Sequence, residues 1–152
     1  MAELEVGQRA PDFELLDQEG KSFRLSEELR HSPVILYFYP KDFTPGCTAE
    51  ACEFRDNFQK VSEVGYALVG ISSDSVETHS EFAKKYGLQF RLLSDRDGRV
   101  RELFGVKRTL GLLPGRTTFV IGQDGTVLRK FSSQFKPREH PYRALDLTKN
   151  SQ

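Results

Sequence analysis

Apolar and polar positions along this chain follow two alternating periods. Val34 to Tyr39 and Tyr66 to Ile71 are nearly unbroken apolar, β-prone runs, the pattern of strands covered on both faces. Between them Ala51, Phe54, Phe58 and Val61 recur at helical spacing and predict a helix over 49–61 with one face turned inward. Ser75 followed by Glu77 starts a second helix that runs to about Tyr86, ahead of Gly87. Upstream, Asp12–Leu16 and Ser22–Leu25 alternate with period two around the turn residues Asp17–Lys21 and predict a hairpin. Ser26, with Glu27 and Glu28 behind it, reads as the N-cap of a short helix ending before Pro33. Phe90–Leu93 reads as a short strand, Asp95–Gly98 as a turn and Val100–Phe104 as one or two helical turns. Arg116–Ile121, the turn Gly122–Gly125 and Thr126–Phe131 form the clearest hairpin. The polar segment 132–152 reads as a peripheral tail, with a weak helix over 142–147. Strand and helix alternate without an internal repeat, so the fold class is α/β.

The chain has 152 residues, with Lys plus Arg equal to Asp plus Glu at 22 each. That length fits one domain, 1–152, with a single compact core. Balanced charge supplies no net field for nucleic acid or an anionic membrane, and no apolar run approaches spanning length. The start Met1-Ala2-Glu3-Leu4-Glu5 lacks the basic and apolar regions of a signal peptide, and a cytoplasmic protein is expected. His31, His79 and His140 show no metal-ligand spacing and read as surface or capping residues. Gly111–Gly115 lacks the lysine of a phosphate loop and reads as a connection to Arg116. Neither a metal nor a cofactor is expected.

The only cysteines, Cys47 and Cys52, follow the run ending at Tyr39 and lie in a helix-like stretch that opens at Pro45. A cysteine in the first turn of a helix meets unpaired backbone N–H groups and the positive end of the macrodipole, both of which favour thiolate. Cys47 is therefore a candidate nucleophile. A structural bridge closing so short a loop would add little to a chain with this much core, and a close pair in a reducing compartment is more often catalytic or metal-binding.

The stretch Tyr37–Asp56, "YFYPKDFTPGCTAEACEFRD", resembles the peroxiredoxins, in particular the subgroup of bacterioferritin-comigratory protein and peroxiredoxin Q. Pro40, Thr44 and Cys47 fit the family's active-site pattern. The resemblance continues in "APDFELLDQEGKSFRLSE", "GISSDSVETHSEFAKKYGLQFRLLSD" and "GRTTFVIGQDGTV", the last of which places Arg116 at the family's active-site arginine. It implies a thioredoxin-like fold, a central mixed β-sheet flanked by helices with an N-terminal β-hairpin. It also implies a thiol peroxidase acting on hydrogen peroxide and organic hydroperoxides. Thr44, Arg116 and the Cys47 N–H would hold the peroxide in line with the Cys47 sulfur, Pro40 would wall the pocket, and Phe43, Gly46 and Glu50 would complete its surroundings. From its position alone Glu50 reads first as a first-turn carboxylate favoured by the dipole, with a catalytic role as the alternative. Cys52 takes the resolving position, with thioredoxin, or alternatively glutaredoxin, as reductant. A monomer is expected, with a dimer as the alternative. Phe43 departs from the polar residue common at its position, which suggests a more apolar pocket mouth.

In an intact helix Cys52 would stand about 7.5 Å along the axis and about 140° around it from Cys47, beyond the roughly 7 Å that a disulfide tolerates between Cα atoms. Resolution would then require the helix to unwind locally. Two other functions compete with the peroxidase. A thioredoxin-like disulfide reductase fits the α/β pattern, though four residues rather than two separate the cysteines. A redox-sensing or holdase module, in which the disulfide alters a binding surface, is the non-enzymatic alternative.

Overall fold

The computed structural model describes residues 3–106, 108–109, 113–114 and 116–132. From Ser133 onward the tail, including the helix expected over 142–147, lies outside the described residues, as does most of the 111–115 connection. Strands β1 (Glu14–Leu16) and β2 (Ser22–Arg24) form the expected hairpin, and helix α1 (Leu25–Leu29) follows at once. Then come β3 (Val34–Phe38), α2 (Pro45–Asp56), α3 (Phe58–Glu63), β4 (Ala67–Ser72), α4 (Val76–Tyr86), β5 (Arg91–Ser94) and α5 (Arg99–Leu103). Two-residue strands β6 (Arg108–Thr109) and β7 (Leu113–Pro114) pair with each other, and β8 (Thr117–Ile121) with β9 (Val127–Ser132) closes the described chain.

Seven strands make one sheet in the order β2-β1-β5-β4-β3-β8-β9. β3, β4 and β5 are parallel to one another, while β8 runs antiparallel to β3. The mixed sheet flanked by helices is the architecture expected. Alternation along β3 divides the core into two layers. Ile35, Tyr37 and Tyr39 pack with Phe54, Val61, Phe82 and Leu92 beneath α2, α3 and α4. Val34, Leu36 and Phe38 pack with Phe13, Leu29, Val100 and Phe119 on the opposite face, where α1 and α5 lie. Every residue of β3 is buried, as its unbroken apolar run requires. Opposite Tyr37 on β4 only glycine fits, because a Cβ on Gly70 would stand 2.8–2.9 Å from the Tyr37 ring.

Three expectations are corrected. The helix opens at Pro45 as expected but does not run unbroken to Val61: it breaks at Asn57, whose φ of −106° and ψ of 7° leave helical geometry. Asn57 Nδ2 donates to the Glu53 carbonyl at 2.8 Å, a local bond that competes with helix propagation. Ser26 lies inside α1 rather than at its cap. The capping carboxylate comes from the hairpin instead, with Asp12 accepting from both the N–H and the Oγ of Ser26 at 2.9 Å. His79, expected at the surface or at a cap, is fully buried on the inner face of α4 beside Phe82 and Ala83. Among the described residues no helix is long and apolar enough to cross a membrane.

Candidate active site

The site lies at the carboxyl end of β3, where ligands commonly bind in α/β sheets. After Phe38 the chain crosses Tyr39–Thr44 and enters α2 with Pro45 in its first turn, a position that needs no N–H. Cys47 therefore sits in the first turn and is 2% exposed. The antiparallel register of Phe38 against Thr117 carries Arg116, immediately ahead of β8, to the same end of the sheet. There Arg116 Nη2 donates to Cys47 Sγ at 3.4 Å, while Nη1 donates to Glu50 Oε1. One helical turn separates Cys47 from Glu50, so a single guanidinium reaches both. All three side chains are buried.

The electrostatics of this trio follow from burial. Removal from water pushes the Glu50 carboxyl up from 4.5 to about 8, and the facing Arg116 only partly offsets that rise. Burial works against the Arg116 charge, but Glu50 and Cys47 outweigh it and hold the guanidinium above its ordinary value. Tyr37, stacked on Phe54 at 4.5 Å beneath the site, is raised well above the normal phenol range by burial and then by Glu50. The arginine is thus a fixed cation beside sulfur, and its other partner favours the neutral form.

A cleft of about 620 Å³ opens over Cys47. Pro40, Lys41, Thr44, Gly46 and Arg116 line it together with Asp74, Ser75, Thr78 and Arg96. The structure thus brings together Pro40, Thr44, Gly46, Cys47 and Arg116. Two residues expected at the pocket lie elsewhere. Glu50 is fully buried behind Arg116 and belongs to the support of the site. Phe43 turns from the cleft and lays its ring on Phe82 and Tyr86 of α4, at centroid distances of 5.1 and 6.5 Å. Its φ of 66° is the single positive value at a non-glycine residue among those described. That left-handed turn swings the side chain outward, so the expected apolar pocket mouth is not formed by Phe43.

Thr44 does not cap α2 with its side chain. Its Oγ1 donates to the Lys41 carbonyl at 2.7 Å, which leaves the hydroxyl lone pairs as acceptors toward the cleft. The first-turn amides of Gly46 and Cys47 have no intrahelical acceptor by position. Thr44, Gly46, Cys47 and Arg116 thus line one cleft, and the guanidinium contacts the sulfur directly. Cys52 lies further along α2, half-buried, and both cysteines are free thiols.

Sequence reasoning missed a second buried cluster just behind the loop. Asp42 Oδ2 meets His79 Nδ1 at 2.5 Å, Tyr39 OH donates to Asp42 Oδ1 at 2.6 Å, and His79 Nε2 meets the Leu93 carbonyl at 3.0 Å. Asp74 Oδ2 in turn accepts from the Asp42 N–H at 2.9 Å and from Ser72 Oγ at 2.5 Å. Asp42, Asp74 and His79 are close enough to share a cation, but both histidine nitrogens already have protein partners. One sequence signal was available: His79 occupies the apolar stripe of α4 with Phe82 and Ala83.

Residues 6–130 match the model of the AhpC/TSA family. The chain belongs to this family, in its peroxiredoxin Q branch. It is 47% identical over 147 residues to a chloroplastic peroxiredoxin Q of Sedum lineare, covering 96% of this chain and 78% of that one. With the chloroplastic peroxiredoxin Q of Populus jackii the identity is 46% over 147 residues, 96% of this chain and 68% of the relative. The solved structure of peroxidoxin BcpB from Mycobacterium tuberculosis superposes with a TM-score of 0.91 at 45% identity, covering 98% of this chain and 99% of that one. The fold is accordingly the thioredoxin-like fold of the peroxiredoxins, and the chain is a thiol-dependent peroxidase. Peroxides are its substrates, and a thioredoxin-type reductant is the kind of partner its family implies. The cytoplasmic expectation is overturned, because the plant relatives are chloroplastic proteins.

Proposed function

We propose that Cys47 is the peroxide-reacting cysteine and Cys52 the resolving one, within a catalytic cycle restored by an external dithiol of the thioredoxin type. The observation that carries this reading is the Arg116 guanidinium donating to Cys47 Sγ at 3.4 Å, with both residues lining the cleft. A hydroperoxide entering there would donate its O–H to Thr44 Oγ1 while its oxygens face Arg116 and the first-turn amides. Cys47 thiolate attacks the terminal oxygen, the O–O bond breaks, and the departing oxygen takes a proton to leave as water or an alcohol. Arg116 and the amides stabilise the charge as it moves from sulfur to that oxygen. Cys47 sulfenic acid then condenses with the Cys52 thiol, forming the S–S bond and releasing water. Exchange with the external dithiol returns both thiols.

Both cysteines belong to α2, so α2 must open between them before the second step. The cycle is testable with thioredoxin, its reductase and a nicotinamide cofactor. Peroxide-dependent cofactor oxidation is expected from the intact chain and none from Cys47→Ser. Cys52→Ser should consume one equivalent of peroxide and leave a sulfenic acid that a dimedone probe traps. Sustained cycling of Cys52→Ser with thioredoxin would remove Cys52 from the resolving role.

A further inference from the structure

Asp42 and His79 have no part in the chemistry above, yet both are buried and they join the catalytic loop to α4. Proton positions follow from their partners. The Leu93 carbonyl can only accept, so His79 Nε2 carries a hydrogen. Nδ1 and Asp42 Oδ2 stand 2.5 Å apart, which two lone pairs out of water do not tolerate, so one proton lies between them. The link is therefore a buried hydrogen bond between the loop and α4. Tyr39 from the end of β3 and Asp74 from the end of β4 hold Asp42 from two further directions, through its other oxygen and its backbone N–H. Immediately after this anchor comes Phe43 at a φ of 66°, a left-handed conformation that a bulky side chain adopts only where its surroundings enforce it. Two residues further on, α2 begins.

We infer that Asp42 and His79 form a latch that holds the strained loop ahead of α2 and thereby sets how readily the first turn carrying Cys47 opens for Cys52. The inference rests on the assignment of Cys52 as the resolving thiol. His79 and Asp42 are positioning residues, since they touch neither peroxide nor sulfur. While the latch is closed, the first turn is formed and Cys47 faces the cleft. When it opens, the strain at Phe43 is released and the turn can unwind. The latch thus divides the fate of Cys47 sulfenic acid. Condensation with Cys52 gives the disulfide and water, whereas a second hydroperoxide transfers an oxygen to sulfur, giving the sulfinic acid and water or an alcohol.

That division is the readout, because it is measured only on molecules that have already reacted. In His79→Leu the latch is removed, and the peroxide concentration giving equal disulfide and sulfinic acid should rise about tenfold, the scale of leaving one buried hydrogen-bonding group without its partner. Asp42→Asn keeps a neutral amide-to-imidazole bond and should show a smaller rise. Midpoints within about twofold of the unmodified chain in variants with unchanged circular dichroism would overturn the latch. A second measurement needs no substitution in the chain under study. In protein labelled with ¹⁵N-histidine, the His79 ring nitrogens should change their resonances between the reduced form and the form treated with one equivalent of hydrogen peroxide. Peptide mass spectrometry checks the Cys47–Cys52 link in the same sample. A disulfide formed with the His79 signals unmoved overturns the latch alone, while absence of the disulfide removes the pairing and the latch with it.

Discussion

Replacing Glu50 by glutamine tests the electrostatic reading of the site most directly. The amide keeps the carboxyl's shape and can still accept from Arg116, but it has no proton to exchange. In the folded chain burial lifts Glu50 from 4.5 to about 8. Below about pH 4.5 the folded and unfolded states both hold the proton, and burial of the carboxyl exacts no pH-dependent penalty. Between that pH and about 8 the unfolded chain releases the proton while the folded chain keeps it, so stability falls as pH rises. At about 1.4 kcal/mol per unit, the intact chain should lose about 3 kcal/mol between roughly pH 5 and pH 7.5 from this group alone. Glu50→Gln should lose none of it. Urea unfolding of both proteins across that range isolates the effect, because every other titrating group cancels in the difference. A difference that changes by less than about 1 kcal/mol over the range would refute the buried neutral carboxyl. The same substitution carries a functional arm. Above about pH 8 the ionised Glu50 competes with sulfur for Arg116. Iodoacetamide should therefore react with Cys47 at similar rates in both proteins near pH 7 and at diverging rates only in the alkaline range.

Three further outcomes are expected. Arg116→Lys replaces a fork that spans Cys47 and Glu50 with a single point charge, and should slow peroxide reduction about a hundredfold, read as the second-order rate by competition with catalase. Gly70→Ala forces a methyl to within 2.8–2.9 Å of the buried Tyr37 ring and should lower stability by about 2 kcal/mol, seen in the thermal midpoint; a change below about 0.5 kcal/mol would mean that the ring yields freely. Asp12→Ala removes the carboxylate that caps α1 and should cost about 1 kcal/mol in urea unfolding at neutral pH, with no change in peroxide kinetics.

Legibility in the sequence tracked how local each signal was. The alternation along β3, the two hairpins and the capped α4 follow from periodicity and turn chemistry, and the fold class follows from their order. Cys47, Thr44, Pro40 and Arg116 were legible because they sit in motifs. What stayed hidden depended on register across the sheet or on side-chain direction. The pairing of Phe38 with Thr117 brings Arg116 to the cysteine, and no spacing along the chain encodes that distance. The family resemblance puts Glu50 and Phe43 at the pocket. One helical turn sends Glu50 behind the arginine, and one positive φ sends Phe43 outward. His79 was read as a surface residue because a single polar position on an apolar stripe does not announce its partner, which here lies 37 positions away.

These corrections share a physical logic, since the proposed cycle makes two opposed demands on the site. Attack on peroxide needs a formed first turn, with Cys47 buried against a fixed cation. Resolution needs that turn undone. A helix running without interruption from Pro45 to Val61, as periodicity suggested, would oppose unwinding along its full length. The observed break at Asn57 shortens the cooperative segment to Pro45–Asp56, and the uncapped start at Thr44 leaves its first amides without side-chain support. α2 is thus held mainly by what surrounds it, namely Phe54 in the core, Arg55 donating to the Tyr86 carbonyl at 2.8 Å, and the loop anchored through Asp42. The Phe54 and Arg55 contacts lie beyond Cys52, so they fix the far end while the stretch between the cysteines opens. In the proposed cycle unwinding would then disturb the stretch between the cysteines and leave the sheet intact, keeping the cost of each turnover local.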